Sequence, residues 1–298
     1  MWIKKENIFS NHWAQLPVVD INNDNYWRIY YSNRINNKSY PKYFDVEKNN
    51  PSNIIFHHDE PILPLGELGT FDQAGVMPAE IITHNGIKYL YYIGWSNRLD
   101  VPYLNTIGLA ISYDGEVYKK FSTGPVFGLS HREPGYTGTI SILIENNIWR
   151  AWYLSCRKWE MINNIPEPLY DIKYAESKNG IDWNPHNITC IPLMEDQGGI
   201  SQASVINING EYHMWYSVRN KKDYRDNINN SYKIKYAKSK DGLSWELSDN
   251  LGLNVSDSGW DSEMVEYPYV ISHNLKKYMF YNGNGFGKSG IGYAELFI

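Results

Sequence analysis

The chain has 298 residues, of which 42% are hydrophobic and 15% aromatic, which is enough for a packed core and excludes general disorder. Lysine and arginine total 28 against 33 acids, a net charge of −5 at pH 7, and no basic segment indicates a nucleic-acid partner. No run of about 18 apolar residues occurs, so we expect no membrane partner.

The N-terminal segment lacks a signal-peptide pattern, and Cys156 and Cys190 are too few for a disulfide framework. Both features are typical of a reducing compartment, so the sequence predicts a cytoplasmic location. The chain begins with a strand-like segment, at about residues 2–9, that carries Trp2 and has no neighbouring strand to pair with.

Aromatic, strand-like segments then recur along the chain. Their equivalent positions are Tyr30, Tyr91, Trp152, Trp215 and Phe280, at steps of 61, 61, 63 and 65 residues. A period this regular indicates a repeat architecture. A tight turn is predicted before each aromatic strand, at Asn23-Asp24, Asn85-Gly86, Asn146-Asn147, Asn209-Gly210 and His273-Asn274.

Each unit reads as four antiparallel strands, but the last unit ends after "IGYAELFI", one strand short. The segment at about residues 2–9 could supply the missing strand and leave no unpaired edge. The sequence therefore predicts an all-β fold: a five-bladed β-propeller with four-stranded antiparallel blades, closed by the N-terminal strand joining the last blade. Residues 1–298 would form one domain, with blades at about 10–65, 66–130, 131–195, 196–258 and 259–298.

The first strand of each blade should line the central axis, and the loops at one mouth should form a binding site. On this arrangement the inner strands bring Gln15, Gln202 and Glu266 to about the same height. Further rim residues come from loops before the inner strands, and they are His12, Asp72, Arg132, Glu133, Trp260, Asp261 and Glu263. Connections between second and third strands, at 95–100, 158–170, 224–232 and 282–288, add Trp95 and Asn282.

Three stretches carry a family resemblance: "LGELGTFDQAGVMP", "KYAESKNGIDW" and "WDSEMVEYPYV" with the following "YMFYNGNGFG". They resemble the five-bladed propeller glycosidases, including the arabinanase/xylosidase and invertase-like families. They are most similar to a bacterial branch of glycosidase-like propellers, often associated with surface-polysaccharide genes. The resemblance implies an enzyme that cleaves or transfers a glycosyl group on a small saccharide or an activated sugar such as a sugar nucleotide.

The mechanism implied by the resemblance needs two carboxylates that flank a glycosidic bond. Glu266, two residues before Pro268, matches the family's glutamate, whereas the first inner strand has Gln15 and Leu16 where the glycosidases have an aspartate. We therefore expect Glu266 to be catalytic, with Asp72 as the second carboxylate. The expected substrate-binding residues are Gln15, Trp95, Arg132, Glu133, Gln202, Trp260, Asp261, Glu263 and Asn282.

Three alternatives stay open, one of which is an interaction scaffold whose axial pocket would be occluded. Because the first-blade aspartate is missing, the chain could bind a sugar or a nucleotide-sugar without catalysis. Each acid could also be structural, as a turn cap or an ion-pair partner. No histidine or cysteine spacing indicates a catalytic metal, no cofactor is expected, and a closed propeller needs no partner subunit to cover its edges. Glu80 should lie lower on its strand, outside the site.

Overall fold

The computed structural model describes residues 1–10 and 13–297, and within these ranges it contains strands and turns but no helix. The chain begins with β1 (Ile3–Phe9), which pairs with the last strand of the chain. The other strands follow along the chain in consecutive antiparallel groups. The described residues accordingly include no helix that could span a membrane.

The first group contains β2 (Ala14–Asp20), β3 (Tyr26–Ile35), β4 (Lys38–Glu47) and β5 (Asn50–His58). The second contains β6 (Gly75–His84), β7 (Ile87–Asn97), β8 (Tyr103–Ser112) and the short β9 (Lys119–Lys120). The third contains β10 (Thr137–Glu145), β11 (Ile148–Ile162), β12 (Ile165–Ser177) and β13 (Asn184–Ile191). The fourth contains β14 (Gln197–Ile208), β15 (Glu211–Asn220), β16 (Lys233–Ser239) and β17 (Glu246–Leu253). The last contains β18 (Glu266–His273), β19 (Lys276–Asn282) and β20 (Ile291–Phe297).

Each group is a four-stranded antiparallel sheet in chain order, with β1 as the fourth strand of the last group. One parallel β-bridge links the first and second groups, between Ser39 and Gly75. Another links the third and fourth groups, between Tyr170 and Gly199. Large aromatic side chains pack between neighbouring sheets, and Trp27, Trp152 and Trp215 are fully buried there. The recurring aromatics of the sequence are therefore core residues between sheets.

The hairpin turns follow the predicted Asn-centred pattern in three groups. Both residues have positive φ at Asn85-Gly86, Asn146-Asn147 and Asn209-Gly210, as tight hairpins require. In the last group the turn is Asn274-Leu275, one residue later than predicted. No positive φ occurs at Asn23-Asp24, where Asn23 instead accepts a hydrogen bond from the N–H of Asn25.

We call the first strand of each group its inner strand. Each inner strand has a bulge or irregularity in its pairing, and in β2, β14 and β18 it lies at the same place relative to the recurring aromatic. The pairing register shifts after Gln15 in β2, after Pro78 in β6, after Thr137 in β10, after Ser201 in β14 and after Glu266 in β18. In three of these bulges a non-glycine residue has positive φ, namely Leu16, Gln202 and Tyr267. Such a backbone costs about 1–3 kcal/mol, and bulges commonly redirect side chains at functional sites.

Side chains tie neighbouring inner strands together just beyond the bulges. The carboxylate of Glu80 accepts a hydrogen bond from the N–H of Ile142 at 3.1 Å. The hydroxyl of Ser141 accepts one from Val205 at 3.0 Å, and the hydroxyl of Ser204 accepts one from Val270 at 2.8 Å. Glu80, Ser141 and Ser204 pair with Tyr91, Trp152 and Trp215, so they are equivalent positions.

The N-terminal strand is anchored by Trp2, which is 6% exposed. Its indole N–H donates to the carbonyl of Leu251 in β17 at 2.8 Å, and its ring meets Trp215 edge-on at 5.8 Å. Trp2 therefore joins β1 to the preceding sheet as well as to its own.

We predict that Trp2→Ala lowers the free energy of unfolding by about 3–5 kcal/mol, because it opens a cavity beside Trp215 and leaves the carbonyl of Leu251 with one donor fewer. Trp2→Phe should cost less, since most of the buried volume is kept. Ile3→Ala, at a half-exposed neighbouring position, is the control and should change stability little. Denaturant unfolding measures all three, and equal effects at positions 2 and 3 would contradict the anchoring role.

Candidate functional site

A cavity of about 720 Å³ lies where the inner strands begin, and we call it the axial cavity. Half of its lining side chains are aromatic, and the rest include amides and two arginines. The predicted residues Gln15 and Trp95 line it directly. Tyr170, Tyr224, Tyr232 and Phe286 come from connections that were expected to form the rim.

Several lining residues were not predicted from the sequence. Arg34 lies near the end of β3, Tyr103 begins β8, and Tyr267 occupies the bulge of β18. Tyr267 directly follows Glu266 in the sequence, and this position next to the predicted acid could have identified it as a lining residue. No motif marks Arg34 or Tyr103, because residues distant in sequence complete their surroundings. His12 lies outside the described residues.

Oxygen atoms without hydrogen-bond partners recur on buried side chains at the bulges of three inner strands. They belong to Gln15, Ser201, Gln202 and Glu266, which we call the polar floor. Each residue is at most 6% exposed. Unpaired buried polar groups are costly and rare in folded proteins, so a cluster of them indicates a place for polar ligand atoms or water.

The pairing register corrects one detail of the prediction. Gln15, Ser201 and Glu266 each form the last pair before the bulge, with Ser32, Ser217 and Asn282 respectively. Ser201, rather than Gln202, is therefore the equivalent of Gln15 and Glu266. Gln202 lies in the bulge itself, with φ of 48°, at the position of Leu16 and Tyr267. The physical reason is the extra bulge residue, which shifts side-chain alternation by one place.

Glu266 is 0% exposed, and no well-formed hydrogen bond to its carboxyl oxygens occurs among the described residues, although the side chain of Tyr267 lies close enough to interact with it. Burial raises the pKa of Glu266 well above its usual range, and Tyr267 offsets only part of this effect. The carboxyl also lies near enough to Tyr232 to raise the pKa of that phenol, after the larger effect of burial. Glu266 therefore lies behind the aromatic surface of the axial cavity, in a setting that favours the neutral acid.

Three predicted site acids belong instead to a repeated cluster that holds loops to sheets. Asp72 accepts hydrogen bonds from Tyr92 at 3.1 Å and from Lys120 at 2.6 Å. Its other oxygen accepts from the hydroxyl of Thr70 at 3.1 Å. The carboxylate is 2% exposed and does not line the axial cavity.

Glu133 and Asp261 repeat this arrangement. Glu133 accepts from Tyr153 at 2.7 Å and Lys173 at 3.0 Å. Asp261 accepts from Tyr281 at 2.9 Å and Lys4 at 2.7 Å. In all three clusters the tyrosine follows the acid by 20 residues, a spacing visible in the sequence. The geometry favours a structural role for these acids, and their assignment to catalysis or substrate binding stays a prediction.

The other predicted residues lie away from the axial cavity. Arg132 is exposed and donates to Asn184 at 3.0 Å and to the carbonyl of Pro185 at 2.7 Å. Trp260 packs on Tyr281 with ring centroids 5.1 Å apart and lines a separate surface cavity beside β1. Glu263 is exposed, and its N–H donates to Asn284.

Asn282 is buried, and its amide is fully engaged within the fold. The amide oxygen accepts from the N–H of Leu16 at 2.9 Å. The amide nitrogen donates to the carbonyls of Ala14 at 2.6 Å and Gly290 at 2.8 Å. Asn282 therefore joins the last sheet to the first inner strand, and no amide hydrogen is left for a ligand.

The far ends of the inner strands enclose a second, more apolar cavity of about 470 Å³, which includes Glu80. Burial raises the pKa of Glu80 to about 7, although three donors partly offset this. They are the hydroxyl of Tyr269 at 2.5 Å and the N–H groups of Ile81 at 3.0 Å and Ile142 at 3.1 Å. Within the described part of the chain, no group of three or more His, Cys, Asp or Glu could hold a metal ion.

Comparison with known proteins identifies relatives along nearly the whole chain. Uncharacterized protein MT1551 of Mycobacterium tuberculosis (strain CDC 1551 / Oshkosh) is 34% identical over 292 residues. Uncharacterized protein Rv1502 of the strain ATCC 25618 / H37Rv matches equally. Both alignments cover 97% of this chain and 94% of the relative. No family model matches the chain.

Solved structures show the same fold at low sequence identity. The BT0996–RGII complex matches with a TM-score of 0.71 and 16% identity, over 98% of this protein and 90% of the matched one. A glycoside hydrolase matches with a TM-score of 0.70 and 15% identity, over 98% and 92%. A third match concerns the GH130 family of mannoside phosphorylases, which contains glycoside hydrolases that target β-1,2 mannosidic linkages in Candida mannan.

This third structure has a TM-score of 0.69 and 13% identity, over 97% of this protein and 85% of the matched one. At such identities a likeness shows the fold alone. The chain accordingly has the all-β fold of the glycoside hydrolase-like propellers, as the sequence resemblance predicted.

We predict that Lys120→Met lowers the free energy of unfolding by up to about 3 kcal/mol, because the buried carboxylate of Asp72 loses its cation. Combining it with Asp72→Asn should cost less than the sum of the two single changes. The exposed pair Lys238–Glu246, at 3.4 Å, is the matched control and should couple by at most about 1 kcal/mol. Absence of coupling between positions 72 and 120 would contradict the structural role.

We also predict a pH effect from Glu80, whose pKa rises from 4.5 to about 7 on folding. The folded state then binds more protons than the unfolded state in this range. Stability should therefore fall as pH rises from about 4.5 to about 7, by up to about 3 kcal/mol. In Glu80→Gln the free energy of unfolding should depend less on pH. Denaturant titrations at each pH give the difference in this free energy between the wild type and the variant. Identical slopes in both proteins would contradict the assignment.

Proposed function

We propose that this chain, which belongs to the same family as MT1551 and Rv1502 of Mycobacterium tuberculosis, binds a saccharide in the axial cavity and cleaves or transfers a glycosyl group. The observation that carries the proposal is the buried carboxyl of Glu266, whose chain neighbour Tyr267 lines that cavity. The fold, shared with glycoside hydrolases, supports the same reaction class by analogy.

We infer that the sheets form a closed ring of five blades in a single domain. Three observations support this. The inner strands β2, β6, β10, β14 and β18 contact one another in that order, and β18 also contacts β2. Strand β1 pairs with β20. Each proposed blade, at about 10–65, 66–130, 131–195, 196–258 and 259–298, encloses one consecutive group of strands, and the last is completed by β1.

The axial cavity suits a small sugar. Its volume of about 720 Å³ falls within the usual range for small-molecule sites. Aromatic faces such as those of Trp95 and Tyr103 can pack against the C–H face of a sugar ring. The amides of Asn97 and Asn105 provide donors and acceptors for hydroxyl groups.

Glu266 would act as the proton donor. A carboxyl group kept neutral by burial can give its proton to the glycosidic oxygen as the bond to the anomeric carbon breaks. Because the carboxyl lies behind Tyr232 and Tyr267, a side-chain movement or a bridging water would have to connect it with the substrate. The sugars of bacterial surface polysaccharides are the first substrates to test, given the resemblance of the sequence.

A non-catalytic sugar or nucleotide-sugar binder is the second candidate. No Asp or Glu lines the axial cavity among the described residues, whereas hydrolysis by the usual route needs a second carboxylate there. Asp72, the predicted second acid, is held by Lys120. A substrate with a good leaving group, such as an activated sugar, would place less demand on a second carboxylate.

The cytoplasmic location also stays a prediction. Its support is the pair of cysteines, Cys156 and Cys190, which are both free and buried. Burial raises the pKa of each thiol to about 12, so both are poor nucleophiles.

We predict that Glu266→Gln lowers turnover by about 100-fold or more, because the amide cannot donate the proton. The fold should be kept, since glutamine has nearly the shape of a neutral glutamic acid. Turnover is measured on a panel of saccharides, aryl glycosides, glycosyl phosphates and sugar nucleotides. Glu60→Gln, at an exposed position outside the site, is the control.

Two outcomes separate the candidates. Unchanged turnover in Glu266→Gln would remove the proton-donor role. Thermal stabilisation of the wild-type protein by a sugar that is never consumed would favour the binder, in which case Glu266→Gln should weaken binding instead.

A further inference from the structure

The charge of the axial cavity is opposite to that of the chain. The protein carries a net charge of −5, yet the described residues lining the cavity include Arg34 and Arg225 and no acid. The nearby Glu266 is buried, and its raised pKa favours the neutral form, so it does not offset the arginines. A local positive charge within an acidic protein indicates that the site attracts an anion.

Arg225 is already engaged. Its guanidinium forms an ion pair with Glu167, which is 3% exposed and also accepts a hydrogen bond from Tyr224 at 2.9 Å. Its guanidinium carbon lies 4.3 Å from the ring centroid of Tyr224. Most of the binding capacity of Arg225 is therefore used within the protein.

Arg34 is different. Its guanidinium carbon lies 5.6 Å from the ring centroid of Trp13 and 5.7 Å from that of Trp95. Among the described residues it has no carboxylate partner and no hydrogen-bond acceptor, so its N–H donors are unused. Both indoles line the cavity beside it. A half-buried guanidinium that lies near two rings can bind a planar or tetrahedral anion in a bidentate manner.

Trp13 is itself fixed in place. Its indole N–H donates to the carbonyl of Phe286 at 3.1 Å, and its own carbonyl accepts from the side chain of Asn33 at 3.0 Å. Because Trp13 does not depend on Arg34 for its position, the cation can be replaced without loss of the cavity wall. The arrangement resembles a preformed anion clamp next to sugar-sized aromatic surfaces.

We propose that the axial cavity selects a saccharide that carries an anionic group, either a carboxylate or a phosphate ester, and that Arg34 binds this group. The aromatic and amide side chains would hold the ring. This inference rests on the proposed sugar-binding role of the cavity, but it does not require catalysis by Glu266.

The test is calorimetric titration with sugars matched in ring and different in charge. The probes are glucose, glucuronate and glucose 1-phosphate, the corresponding galactose series, and inorganic phosphate alone. Wild-type protein should bind at least one anionic sugar about tenfold more tightly than its neutral counterpart, and the preference should weaken as salt is added. Comparison of the uronates with the sugar phosphates identifies which anion is preferred.

Substitutions test whether Arg34 is responsible for the preference for anionic sugars. Arg34→Gln should abolish it, and Arg34→Lys should keep part of it, since lysine keeps the charge but not the fork of donors. Arg98→Gln, an exposed arginine that lines a different surface cavity, is the matched control and should leave the preference unchanged. Thermal unfolding verifies that all variants are folded.

The proposal is overturned if no anionic sugar binds, if neutral sugars bind as tightly, or if Arg34→Gln keeps the preference. Binding of inorganic phosphate as tight as that of any sugar phosphate would also overturn it, because the sugar would then contribute nothing. These titrations remain informative if no substrate is ever turned over. Conversely, turnover of neutral sugars with no charge preference would remove this inference and leave the proposed function standing.

Discussion

The structure depends on how the inner edge of each sheet satisfies its backbone N–H groups. An inner strand is hydrogen-bonded to another strand of its sheet along one edge only. Its other edge faces a neighbouring inner strand without regular β-pairing. Glu80, Ser141 and Ser204 meet this constraint, because each accepts a hydrogen bond from the next inner strand. These contacts set the relative heights of the strands and thereby the position of the polar floor above them.

The same inner strands also contain features at the site that are unfavourable for folding stability. Leu16, Gln202 and Tyr267 have a backbone conformation that non-glycine residues rarely adopt, and the polar floor contains buried oxygens without partners. Strain and unsatisfied polar atoms that coincide at one level of the fold are the usual sign of a site kept for a ligand at the expense of stability.

Most of the fold could be predicted from the sequence, because an aromatic strand recurs in every sheet and an Asn-containing turn precedes it. The site was harder to predict. Asp72 was interpreted as a catalytic acid, and Glu133 and Asp261 as ligand-binding acids, because loop carboxylates near an axis suit those roles. Each is nevertheless followed 20 residues later by a tyrosine that binds it. The contacts of Arg34 join three segments far apart in sequence, so no local pattern could identify them.

The pairing of β1 with β20 has a consequence for how the protein is made. Ile3 of β1 is synthesised long before Glu295, the residue of β20 with which it pairs. Until then β1 has no strand to pair with, and a nascent polypeptide could recruit the wrong strand from another molecule. All the intervening sheets must therefore be synthesised before β1 can pair, which makes this seam a natural point for chaperone dependence.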